Sequence, residues 1–309
     1  LARPKRIKLA SDNAIYHVTT RTAFGTFLFK EPAIREWIYR RILRLSKCFF
    51  VELHAIAVLS NHYHLVFTLR KPPLDNREIR RRFERIQEMN KYPKTWIGDV
   101  DFWHQKLTDL SEFMKAINQS IAWEINRRHQ NQGHIWGRRF YSTLIEDGPG
   151  LLACMTYVEL NPVKAGLSSK PSDYRWCSMG RFHSAGKAAS GVQLPRLAAL
   201  SGIKSKNRMS AFRQLVDHMA AIENGESSNL PKTWADWNFQ LDGHSLNELS
   251  DWCFRRTRWA FHSLLIGSAS FCTKHIQLFQ LPTGRNGPKA FPLFLNLCNE
   301  KVCAGDFLT

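Results

Sequence analysis

Two hydrophobic periods organise the first 180 residues. Ala14 to Arg21 and Phe50 to Leu59 are dense in apolar and β-branched side chains, and both read as strands. His62 to Leu69 reads as a third, because HLVFTL alternates with the two-residue period of a half-buried strand. A tight turn at Ser60-Asn61 joins the second and third. Glu31 to Lys47 repeats at helical spacing, with Ile34, Ile38, Ile42 and Leu45 on one face and arginines elsewhere. Pro72-Pro73 breaks the chain, and residues 74–100 are polar and basic, with Arg80, Arg81, Arg82 and Arg85. Leu107 to His129 predicts a long helix, and after a loop at Gly133 the stretch IWGRRFYSTLIE predicts another strand. Strands and helices mixed in this order predict an α+β sandwich with a central, mainly antiparallel sheet.

A further helix is predicted from Gly148-Pro149, where the proline suits the first turn and the glycine can precede it as a cap. Leu151, Leu152, Met155 and Val158 then recur near helical spacing. Tyr157 and Asn161 are four apart and share a face. Pro162 is expected to end this helix and to leave Asn161 at its terminus, free to reach a ligand. A half-buried core tyrosine and a capping asparagine fit the same spacing.

The densest candidate chemistry is His62-Tyr63-His64. At the start of a strand the two imidazoles point to one face and Tyr63 to the other. Such a pair can hold a metal ion, and Tyr63 is poorly placed to be its partner nucleophile. By itself the pair is a weak signal.

Charge adds a partner. The 309 residues carry a formal net charge of +18, and such a field favours a polyanion. No apolar stretch approaches the roughly 20 residues that span a bilayer, and the basic N-terminus lacks the apolar region of a signal peptide. Seven scattered cysteines, none in a C-x-x-C pair, predict reduced thiols in a cytoplasmic protein, which a DNA partner would make nucleoid-associated. Arg127 and Arg128 end the long helix, and Arg138 and Arg139 lie between Trp136 and Phe140. Cations interleaved with aromatics suit single-stranded nucleic acid. Core packing of Trp136 and Phe140, and a solvated helix end, are the alternatives.

Five stretches together resemble the HUH single-tyrosine transposases, most closely the REP-associated tyrosine transposase branch. They are ARPKRIKLASDNAIYHVTTR, LSNHYHLVF, INRRHQNQGHIWGRRFYSTLIED, YVELNPVKAGL and WCSMGRF, in order over residues 2–182. Tyr63 departs from the small or aliphatic residue usual between the histidines. The resemblance implies a ferredoxin-like sandwich. It also implies a Mg²⁺ or Mn²⁺ ion on His62, His64 and Asn161, a Tyr157 nucleophile and a single-stranded DNA substrate with a hairpin. Cleavage would leave a 5′-phosphotyrosine and a free 3′-OH. Imidazole ligands by themselves suit Mn²⁺ better than Mg²⁺. Two rivals are a domesticated hairpin-binding regulator that does not cleave, and a metal-dependent nuclease that uses water. A homodimer would allow cleavage in trans and a monomer would act alone.

The resemblance ends at Phe182, which places the catalytic domain at 1–182. HSAGKAASG reads as a linker. Residues 183–309 read as a mostly helical extension, with helices in MSAFRQLVDHM and LNELSDWCFRRTRWAFHSLLIG. A stabilising helical domain is the favoured role, and Arg255, Arg256 and Arg258 are its best candidates for a second DNA contact.

Overall fold

The computed structural model describes residues 7–9, 13–89, 95–96, 98–192, 208–226, 263–279 and 289–292. The first strand, β1 (Ala14–Arg21), leads through a 3-10 turn into α1 (Pro32–Cys48). The hairpin β2 (Val51–Val58) and β3 (His62–Leu69) follows, then α2 (Asn76–Met89), α3 (Val100–Leu107), α4 (Leu110–Arg128) and β4 (Tyr141–Ile145). After them come α5 (Pro149–Lys164), α6 (Ser178–Ser190), α7 (Arg208–Glu223), β5 (Ser263–Gly267), α8 (Ala269–Leu278) and β6 (Lys289–Pro292).

The strands form one sheet in the order β2-β3-β1-β4-β5-β6. The first four are antiparallel to one another. The mainly antiparallel sheet agrees with the patterning, and, read as β1-α1-β2-β3-α4-β4, these strands have the ferredoxin-like arrangement that the resemblance implies. β5 and β6 extend the sheet with parallel pairing. The extension is therefore not only helical: Ser263 to Gly267, expected to be helical, is a strand against β4. Its SLLIG run is short and apolar, and period alone does not separate a buried strand from a helix at that length.

Alternation assigns the two faces. Tyr16 and Val18 of β1 and Tyr63, Leu65 and Phe67 of β3 face a core built with α1 and α4. Ile15 of β1, Ala55 and Ala57 of β2 and Val66 of β3 face α5, which α7 backs. His17 alternates with Tyr16 and Val18, and His62 and His64 with Tyr63 and Leu65, so all three belong to the α5 face.

Other boundaries differ from the patterning. The predicted long helix corresponds to α4, which starts at Leu110 rather than Leu107: Leu107 closes a separate helix, α3, and the Asp109 carboxylate accepts from Ser111 and Glu112 N–H and caps the new start. The basic stretch after Pro73 is largely α2, whose Arg82 and Arg85 donate to carbonyls at the end of α1. HSAGKAASG is not a linker but the second half of α6, ended by Gly191 at φ +66°; its alanines are good helix formers. Arg255, Arg256 and Arg258 lie outside the described residues. No helix among the described residues is long and apolar enough to cross a membrane.

Candidate active site

The tyrosine helix begins as its residues suggest, with Gly148 as N-cap at φ +91° and Pro149 in the first turn. It does not end at Pro162. The helix runs on to Lys164, with Pro162 inside its last turn. A proline there removes one N–H and crowds the carbonyl four residues back. The chain closes around it: Ala165 N–H donates to the Asn161 carbonyl (2.9 Å), Leu167 N–H to Pro162 (2.9 Å), and Gly166 takes a left-handed φ of +64°. Asn161 is consequently helical and buried, and its Nδ2 donates to the Tyr157 carbonyl (2.8 Å). That bond leaves the amide oxygen as the atom Asn161 has for a cation.

A buried carboxylate fixes this helix against the sheet. Glu159 accepts from the Ser178 hydroxyl and from Met179 N–H (2.9 Å) at the start of α6. Ser178 Oγ in turn accepts from Ile56 N–H on β2 (2.9 Å). Burial raises the Glu159 carboxyl to about 7, against the hydrogen bonds from Ser178 and Met179. The WCSMGRF stretch thus ties β2, α5 and α6 together; Trp176 also accepts from Val58 N–H (2.9 Å).

On the α5 face Tyr157 meets the histidines edge-on. Its ring centroid is 5.8 Å from His64 and 6.0 Å from His17. The His62 and His64 rings are 5.1 Å apart. Tyr157 is only 1% exposed, and burial raises its phenol well above the ordinary value, while a hydrogen bond from Asn161 and the charge of Arg21 work the other way. Burial also keeps the imidazoles neutral, with His17 and His62 lowered to about 3. Tyr63 sits on the opposite face, its hydroxyl donating to Asn118 Oδ1 (2.7 Å) and accepting from Thr20 (3.2 Å).

Each histidine of the pair has its Nδ1 engaged. Asn61 Nδ2 donates to the Gly25 carbonyl (2.8 Å), so Asn61 Oδ1 is the atom facing His62 Nδ1 (2.6 Å). An amide oxygen only accepts, so His62 carries its proton on Nδ1 and its lone pair on Nε2. His64 Nδ1 lies 2.9 Å from His17 Nε2, with the two rings stacked. When His64 donates across this contact, its own lone pair is also on Nε2. Two Nε2 lone pairs and one amide oxygen are a donor set that fits Mn²⁺, and Mg²⁺ less well. Outer partners that set the tautomer are characteristic of metal-ligating histidines. No group of three or more His, Cys, Asp or Glu side chains placed to hold a metal occurs among the described residues; the asparagine would complete this set.

Patterning did not single out His17, Asn61 or Arg21. Their signal is strand pairing: His17 stands opposite Val66 on β3, diagonal to His64, and Arg21 stands opposite His62. That register is invisible until β1 and β3 are known to be neighbours.

The expected DNA-binding residues divide. Arg127 and Arg128 both pair with the buried Glu124, at 2.9 and 2.6 Å. Trp136 is half-buried, donates from Nε1 to the Asn118 carbonyl (3.0 Å) and packs edge-on against Phe29 and Tyr63. It packs against the core, the alternative reading for this residue. Arg138 and Arg139 are exposed. A cleft of about 550 Å³ lined by Trp37, Arg41, Arg44, Trp103, Lys106 and Trp123 opens on the α1–α4 side, away from Tyr157.

No family model matches the chain. Over 130 residues, 42% of this chain, it is 28% identical to a Haemophilus influenzae protein provisionally named a REP-associated tyrosine transposase. The chain is similar to the REP-associated tyrosine transposases. It spans 60% of the length of that relative. A solved REP-associated tyrosine transposase bound to a REP hairpin superposes with a TM-score of 0.40 at 16% identity, over 64% of this chain and 96% of that one.

Proposed function

We propose that the protein is a metal-dependent endonuclease and strand transferase for hairpin-bearing single-stranded DNA, acting through a 5′-phosphotyrosine on Tyr157. The observation that carries this reading is the meeting of Tyr157, His64 and His62 on one face of the sheet, in a chain similar to named tyrosine transposases.

In this reading Tyr157 Oη attacks the scissile phosphorus. The Oη–P bond forms, the P–O3′ bond breaks, the phenol proton passes to water, and the departing 3′ oxygen takes one up. The phosphotyrosine conserves the bond energy, so a 3′-OH from another strand can reverse the step and join DNA without ATP. His62, His64 and Asn161 would hold a Mg²⁺ or Mn²⁺ ion, which would supply charge neutralisation at the phosphate. The rest falls to the chain. His17 and Asn61 set the tautomers, Arg21 brings a positive charge beside the phenol, and Glu159 holds α5 in place. Burial of Tyr157 disfavours phenolate, so the ionised form depends on those positive charges.

The test is a denaturing-gel assay with labelled hairpin single strands, run with Mn²⁺, Mg²⁺ or EDTA. The expected result is a metal-dependent protein–DNA band that disappears in Tyr157→Phe and persists in Tyr63→Phe. Cleavage without a band points to a water-using nuclease, and tight hairpin binding without cleavage to a non-cleaving regulator.

A further inference from the structure

The turn after β1 spends free energy that its own packing does not return. Phe24 adopts φ +54°, ψ +14°, and its side chain is fully exposed. A left-handed conformation is uncommon for a bulky residue, and an exposed phenyl ring gains nothing from burial. Phe27, three residues on, is 67% exposed.

The turn is nevertheless firmly held. Thr22 Oγ1 donates to the Thr26 carbonyl (2.7 Å), Ala23 N–H to Ile135 (2.8 Å), and Asn61 Nδ2 to Gly25 (2.8 Å). Gly137 N–H donates to the Arg21 carbonyl (3.2 Å), and the backbone at Gly137 comes so close that a Cβ there would lie 3.2 Å from Ala23 Cα. A strained conformation persists only where its surroundings over-determine it, and such residues gather at ligand sites.

Those anchors also place the turn. One neighbour of Phe24, Gly25, orients Asn61 and through it His62. On the other side, Trp136 bridges to Thr22, which brings the exposed Arg138 and Arg139 and the exposed Arg21 to the same edge of the molecule. Aromatic rings stack on bases while cations follow the phosphates. The segment between Trp136 and Phe140 has the cations, but both of its aromatics pack inward.

We propose that Phe24, with Arg138 and Arg139, forms a base-stacking platform for the single strand that enters or leaves the His62–His64 site. Phe24 supplies the ring and the two arginines the phosphate contacts, with Phe27 the next aromatic along. This rests on the reading of the protein as a single-stranded-DNA enzyme and adds the residues that hold the strand.

The test uses the full chain and a hairpin oligonucleotide with a single-stranded tail, carrying 2-aminopurine at one tail position at a time. Stacking quenches its fluorescence. One tail position is expected to be quenched on binding. That quench should be lost in Phe24→Ala, lost in Phe24→Gly, which also relieves the backbone, and retained in Phe24→Trp. Affinity for the tailed substrate should fall about 5- to 100-fold in Phe24→Ala, with a blunt hairpin bound as before. Quench and affinity unchanged in both Phe24→Ala and Phe24→Gly overturn the proposal. A Phe24-dependent quench without any covalent product upholds the platform and overturns the cleavage reading instead.

Discussion

Tyr63 and Tyr157 stand on opposite faces of one sheet, and their surroundings separate two uses of a buried phenol. Tyr63 is enclosed by the α1–α4 core and its hydroxyl has neutral partners on both sides, Asn118 and Thr20. Tyr157 is as deeply buried, but against imidazoles, with Asn161 one turn on and Arg21 close enough to favour its ionised form. Burial raises both phenols. The difference lies in what each is buried against: one environment satisfies a neutral hydroxyl, and the other sets an amide donor and the charge of Arg21 against the larger cost of burial.

If the α5 face carries the chemistry and the α1–α4 face carries stability, substitutions on the two should separate cleanly. The largest effect is expected from His64→Ala, which should lower adduct formation by about 100-fold or more, since even outer-shell changes at metal sites cost about 10- to 100-fold. Adduct yield unchanged in that variant would remove the metal site from the account.

Glu159 tests whether α5 is anchored as described. Its carboxyl is raised to about 7 from an ordinary 4.5. The folded state therefore holds a proton that the unfolded state releases between those values. The Glu159 contribution to stability is greatest below about pH 4.5 and falls as pH rises through 7, by up to about 3 kcal/mol, while the buried neutral His17 and His62 contribute in the opposite sense over the same range. Urea denaturation of the wild type and of Glu159→Gln across that range isolates it: the stability of the wild type relative to Glu159→Gln should decline as pH rises from about 4.5 to 7.

His17 gives a finer comparison. His17→Asn leaves the amide too short to accept from His64 Nδ1, whereas His17→Gln places a carbonyl near the lost Nε2. Mn²⁺ affinity, read from the paramagnetic resonance of the free ion, should fall about 10- to 100-fold in the first and remain near wild type in the second. Equal losses would make His17 a packing residue only.

The smallest effect concerns the other face. Tyr63→Phe leaves Asn118 Oδ1 without its donor and should cost about 1–3 kcal/mol of stability. Adduct formation by the folded variant should stay within about twofold. A loss of adduct comparable with that of His64→Ala would erase the distinction between the two faces.

Much of this was legible in the residues. The period-two run of HLVFTL and the helical repeat of Ile34, Ile38, Ile42 and Leu45 predict β3 and α1, and the spacing of Tyr157 and Asn161 puts both on one helix face. What failed did so for physical reasons. Pro162 looked like a stop signal, but a proline in the last turn is accommodated when the following carbonyls and amides close the helix. For Trp136 the spacing left core packing and base stacking both open, and its indole N–H and ring find partners inside. His17 escaped notice because its role depends on the pairing of β1 with β3, a contact 47 residues apart in the chain.

The central claim is that Tyr157, and not Tyr63, forms the covalent bond to DNA. Its most direct test is to trap the product with Mn²⁺ and a hairpin single strand, digest it with protease and nuclease, and locate the residual nucleotide by mass spectrometry. The account predicts a 5′-phosphonucleotide on the peptide containing Tyr157. A nucleotide on any other residue, or cleaved DNA with no modified peptide, would contradict it.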